Sequence, residues 1–204
     1  MKLFLTSVAV NVLDKIIPLL PKNPRELSVA FIPTAATPYE SREWMDDDRN
    51  KLIKIGFNVI DFDLNSKTEE KVRETLSKVD IVFVAGGNTF YLLDKVRQSG
   101  FDKVVKDLIN KGLIYIGSSA GSIILGPTIE PIKYLDDRSK APDLSDDYGM
   151  KFIDFIVLPH FDNKQYDQAY RELMSEYKDK YRLEPLADNQ VIVIDGDKFE
   201  ILNS

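Results

Sequence analysis

The chain has 204 residues, 44% of them hydrophobic and 29% charged, enough apolar material for one domain with a sizeable core. A net charge of -6 without any Lys/Arg run argues against a nucleic-acid partner, which needs a basic surface to displace phosphate counterions. The absence of cysteine excludes disulfides, thiolate metal sites and a cysteine nucleophile, and no segment approaches the ~18 apolar residues of a membrane span.

The start, M-K-L-F-L-T-S-V-A-V, is too short and too broken by Thr6 and Ser7 for a signal peptide, and reads as a first buried strand over 3–10. Further strand-length apolar runs follow at 28–33, 58–62, 80–85, 113–117 and 152–158. They are continuous rather than alternating, as expected of strands covered on both faces. Between them the pattern predicts helices over 41–55, 68–77, 90–99, 102–110 and 164–181, the second opening on a Thr68 cap with early Glu residues. The segment 190–202 reads as a hairpin around Asp195-Gly196. The expected fold is a single α/β domain over 1–204: a doubly wound, mostly parallel sheet with helices on both faces and an antiparallel C-terminal hairpin. With no leader and no cysteine, the expected location is the cytoplasm.

Ligands of open α/β sheets bind beyond the carboxyl ends of the strands. Four turns fall at such ends: P-T-A-A-T from 33, A-G-G-N-T from 85, G-S-S-A-G from 117 and L-P-H-F-D from 158. Gly117-Ser118-Ser119-Ala120-Gly121 fits G-x-S-x-G, in which the central serine is held out on a sharp strand-to-helix turn and a Cβ on the flanking residues would clash. A phosphate cradle is the weaker reading, since neither a P-loop lysine nor G-x-G-x-x-G spacing is present; a plain tight turn is the bland one. A serine nucleophile needs a base, and the chain's one histidine, His160, sits at a predicted strand end on the same edge.

A carboxylate should orient that imidazole, and the chain between serine and histidine offers Glu130, Asp136, Asp137, Asp143, Asp146 and Asp147. Their spacing does not choose among them. Gly86-Gly87-Asn88-Thr89 brings a Gly87 N–H that suits an oxyanion and an Asn88 that suits either a substrate or a helix cap. The triple Asp46-Asp47-Asp48 reads as an exposed helical face, and without partner histidines no metal site is expected there. The long stretch 127–149, rich in Asp, Pro and Ser, directly follows the serine motif and is expected to be functional.

Four blocks together, Gly-Gly-Asn-Thr-Phe at 86–90, Leu-Ile-Tyr-Ile-Gly-x-Ser-Ala-Gly at 113–121, Gly-Pro-Thr-Ile at 126–129 and Pro-His-Phe at 159–161, resemble peptidase E over nearly the whole chain. This is the aspartyl dipeptidase family of serine peptidases, related in fold to class I glutamine amidotransferases and cyanophycinase. The resemblance implies a flavodoxin-like sheet, Ser119 as nucleophile, His160 as general base, the backbone of Gly87 and Ala120 as oxyanion hole, and Asn88 at the substrate. Where that family has its Thr-x-Asn-Asp acid, this chain has Lys133-Tyr134-Leu135-Asp136-Asp137, and a two-residue slip supplies Asp136 as the acid. The family's Gly-Glu-Thr-Arg loop after Pro-His-Phe is missing, so strict specificity for an N-terminal Asp is not carried over. The expected activity is hydrolysis of short peptides through an acyl-enzyme, without metal or organic cofactor. Another amide or ester hydrolase, or a non-enzymatic ligand-binding member of the fold, stands as the alternative. The partners expected are a small peptide and, at most, a second copy of the chain in a homodimer.

Overall fold

A computed structural model describes residues 1–204. Five strands run parallel: β1 (Lys2–Thr6), β2 (Ser28–Ile32), β3 (Asn58–Asp61), β4 (Ile81–Val84) and β5 (Ile114–Ser118). Two more, β8 (Gln190–Asp195) and β9 (Lys198–Asn203), close one edge antiparallel, giving the order β3-β2-β4-β5-β1-β8-β9. The parallel part is the flavodoxin order 2-1-3-4-5 with the fifth place filled by the chain's first strand. The hairpin turns where the sequence predicts it, at Gly196 with φ +61°.

Strand side chains alternate between two cores. Leu3, Leu5, Ala30, Ile32, Val82, Val84 and Tyr115 enter one, while Phe4, Val29, Phe31, Ile81, Phe83, Ile114 and Ile116 enter the other. That is why the runs are continuously apolar: each face meets helices. The second face is covered by α1 (Ala9–Ile16) and α2 (Glu43–Ile55), and Phe31 stacks on Phe83 there at 5.2 Å. Facing the first are α3 (Glu69–Leu76), α4 (Thr89–Ser99), α5 (Phe101–Asn110), the four-residue α6 (Ala120–Ile123) and α7 (Asp167–Tyr177). Thr68 caps α3 by accepting the Lys71 N–H, as its position predicts.

Three expectations are corrected. The first strand ends at Thr6, and residues from Ala9 form α1, because Ala9, Val12, Leu13 and Ile16 repeat at helical spacing. The apolar run 152–158 yields only β6 (Ile156–Leu158), which leaves the main sheet and pairs with β7 (Leu183–Pro185). The aspartate triple is not one exposed face: Asp46 and Asp47 are exposed, but Asp48 shares the inner stripe of α2 with Met45 and Leu52 and is 2% exposed.

The stretch 127–149 is ordered without long helices or strands. Short 3₁₀ turns at Glu130–Tyr134 and Arg138–Lys140 and a bridge between Thr128 and Tyr148 fold it back, burying Ile129, Ile132, Ala141 and Leu144 in the first core.

Candidate active site

Parallel register sets the carboxyl ends of β1, β2, β4 and β5 along one edge, and the turns after them meet there. Ser119 sits between β5 and α6 with φ 48° and ψ -108°, a conformation costly for a non-glycine residue and one that holds its Oγ out of the turn. Neighbours explain the glycines. A Cβ on Gly117 would come within 2.6 Å of the Gly121 backbone, and one on Gly121 within 2.1 Å of the Val84 carbonyl oxygen. The adjacent serines have other jobs. Ser122 Oγ accepts the Thr6 N–H at 2.9 Å and lies 2.8 Å from the Thr6 and Gly117 carbonyl oxygens, locking β1 to β5. Ser118 Oγ accepts the Ala9 N–H at 3.3 Å.

His160 follows β6 with φ +59° and stacks on Tyr166 with ring centroids 5.5 Å apart. Its Nε2 lies 3.2 Å from Ser119 Oγ, and its Nδ1 lies 2.6 Å from Asp188 Oδ1. Ser7, just past β1, accepts the His160 backbone N–H at 2.7 Å and donates its own hydroxyl to that same Asp188 oxygen at 2.6 Å. A proton on Nδ1, held by the carboxylate, leaves Nε2 free to accept from Ser119.

Asp136, the acid expected on the imidazole, is elsewhere. Its Oδ2 accepts the Thr89 N–H at the start of α4, at 2.7 Å, and makes no hydrogen bond with His160. Burial pushes its carboxyl above the ordinary range, against the pull of Thr89 and the nearby His160. Asp137 caps a 3₁₀ turn through the Ser139 N–H, and Glu130 is held by the hydroxyls of Tyr177 and Tyr181. None of these candidates from the long stretch reaches the ring. Asn88 is fully buried, accepting the Tyr91 N–H as the cap of α4 and donating to the Asp137 carbonyl, so its side chain is committed to the fold rather than turned to a ligand. Gly87 has φ +145°, and a Cβ there would meet the Ala35 carbonyl oxygen at 2.2 Å. Neither its N–H nor that of Ala120 donates to another group of the protein, which leaves both free for an incoming oxygen.

The residues that the sequence reading passes over are Asp188 and Ser7. A signal for Asp188 exists in the hairpin. β8 runs antiparallel to β1 with Val191 opposite Thr6, so the residues just before β8 must lie beside the carboxyl end of β1. The carboxylate that bonds the imidazole comes from beyond the histidine, not from the chain between Ser119 and His160.

In front of Ser119 lies a cavity of about 410 Å³ whose walls include Gly86, Gly87, Asp136, His160 and Tyr166. A serine set on a nucleophile turn, with its histidine in place, can be compared with known enzymes. The profile of peptidase family S51 matches residues 3–202. The chain belongs to that family, and it is a serine peptidase. An uncharacterized peptidase of Pasteurella multocida is 32% identical over 196 residues, covering 96% of this chain and 94% of that protein. Peptidase E of Salmonella typhi is 32% identical over 142 residues, which are 67% of this chain and 56% of that protein. The crystal structure of a protein of Listeria monocytogenes EGD-e assigned to peptidase E superposes with a TM-score of 0.93 at 30% identity, over 100% of this chain and 98% of that one.

Proposed function

We propose that this S51 peptidase hydrolyses short peptides in the manner of a dipeptidase, with Ser119 as nucleophile, His160 as general base and Asp188 as the carboxylate that orients it. The observation that carries the reading is the unbroken line from Ser119 Oγ through both imidazole nitrogens to Asp188 Oδ1, at 3.2 and 2.6 Å. Ser119 Oγ attacks the scissile carbonyl carbon while its proton passes to His160 Nε2. The carbonyl oxygen gains the negative charge and is held by the N–H groups of Gly87 and Ala120. The C–N bond breaks, the imidazolium returns the proton to the departing amine, and an acyl ester remains on Ser119. Water, deprotonated by His160, then attacks that ester and releases the carboxylic acid. No metal ion or organic cofactor takes part. The reaction is placed in the cytoplasm, where a chain without cysteine loses nothing to reducing conditions.

A fluorophosphonate tests the mechanism and a dipeptide library tests the substrate. Covalent modification mapped to Ser119, with release of amino acids from dipeptides, is the expected result. Modification without peptide hydrolysis points to another ester or amide substrate, and an inert Ser119 overturns the mechanism.

A further inference from the structure

The cavity in front of Ser119 holds two carboxyl groups, Asp48 and Asp136, that the acyl transfer does not use. It has two walls, one from each face of the sheet. The α7 side contributes Ile132, Tyr170 and Asp136; the α1–α2 side contributes Val8, Tyr39, Trp44 and Asp48. No lysine or arginine lines it. Asp48 accepts the Val10 N–H at 2.7 Å, but no ammonium or guanidinium lies within 4.0 Å of it or of Asp136. Tyr39 and Trp44 meet edge to face at 5.6 Å on the same wall as Asp48.

A buried carboxylate without a counter-ion is costly, and the cost is visible here. Burial pushes the Asp48 carboxyl up to about 7, with Asp47 adding to the rise and the hydrogen bonds from Ser118 and Val10 opposing it. A carboxyl that shares a cavity wall with aromatic rings has the chemistry that takes up organic cations. In their ionised forms the two carboxyls set like charge against a substrate carboxylate.

Building on the peptidase reading, we propose that this cavity recognises a positively charged group on the acyl-side residue of the substrate, an ammonium or guanidinium received by Asp48 beside Tyr39 and Trp44, and that it turns acidic residues away. The arriving cation supplies the missing counter-charge. Where the cation is the side chain's, the specificity is opposite in sign to recognition of an N-terminal Asp.

Titration calorimetry at neutral pH on the full chain tests this through binding alone. The ligands are L-lysinamide, N-acetyl-L-lysinamide, L-leucinamide, N-acetyl-L-leucinamide and L-aspartic acid α-amide. L-lysinamide is expected to bind at least about tenfold more tightly than the aspartic acid amide. N-acetyl-L-lysinamide bears only the side-chain charge and L-leucinamide only the α-ammonium, so whichever exceeds N-acetyl-L-leucinamide identifies the source of the cation. Asp48→Asn is expected to shrink the gap between lysinamide and aspartic amide by about tenfold, and Trp44→Leu, at a position 41% exposed, by less. Equal binding of the acidic and basic amides, or a gap unchanged in both variants, overturns the proposal. Fluorophosphonate labelling of the same samples keeps the two readings apart. A labelled serine without a charge preference rejects cation recognition alone; an inert serine with the preference intact rejects the peptidase mechanism alone.

Discussion

The stretch 127–149 and the turn 186–189 both bring a carboxylate to the neighbourhood of His160, and they do it for different reasons. The long stretch starts a few residues after Ser119, holds all six acidic candidates between the serine and the histidine, and delivers Asp136 to the N-terminus of α4. The short turn lies 28 residues beyond the histidine and delivers Asp188 to Nδ1. Nearness along the chain favours the first. Strand pairing favours the second, because the antiparallel register of β8 on β1 ties Asp188 to Ser7 and so to the imidazole. In an α/β sheet, two residues are brought together by which strand ends are neighbours, whatever the length of chain between them.

Either carboxylate matters to catalysis only if Ser119 is the group the imidazole serves. Ser119→Ala is expected to lower kcat by about 10⁶, the scale seen when a peptidase serine is removed, while Ser118→Ala retains much of the activity. Residual turnover within tenfold of wild type in Ser119→Ala breaks the scheme at its first step.

Next in size comes Asp188→Asn. Loss of the orienting carboxylate in chymotrypsin-like peptidases costs about 10⁴ in kcat, and a drop of about 10³ to 10⁴ is expected here with KM little changed. Steady-state kinetics on a cleaved dipeptide reads this directly. A near-wild-type kcat would return the orienting role to the 127–149 stretch.

Asp48 extends the comparison to a carboxyl answered by no base at all. It titrates at about 7 in the folded chain against an ordinary 3.8. The unfolded chain therefore gives up this proton first as pH rises, and the folded chain holds it through the window between those values. Stability from this group is fully present below about pH 4 and is lost as pH climbs to about 7, by up to about 4 kcal/mol for about three pH units. Asn cannot titrate, so Asp48→Asn should gain on wild type steadily across that window and no further above it. Urea denaturation at pH 4.5, 6 and 7.5 measures the difference, and a gap independent of pH would mean that the carboxyl is solvated.

The smallest effect is expected at Asp136. Its oxygen holds the α4 N-terminus and faces the cavity but not the ring, so Asp136→Asn should change kcat by no more than about tenfold, with any larger change confined to KM. A fall in kcat as large as that of Asp188→Asn would merge the two carboxylates into one catalytic unit.

Much of the protein is legible without its coordinates. Continuous apolar runs announce strands covered on both faces, the helical periods between them announce crossovers, and Gly117-x-Ser119-x-Gly121 announces the strained turn, since only glycine tolerates the 2.6 and 2.1 Å approaches at its flanks. The single histidine at a strand end completes what local chemistry can say. Three things waited for the tertiary structure. Asp188 needed the β1–β8 register, Asp48 needed the packing of α2 that turns one of three consecutive aspartates inward, and Asn88 needed the 127–149 stretch that takes up its amide. Local sequence determines which backbone shapes are sterically open, while the partner of a polar side chain is decided by elements distant in the chain that pack against it.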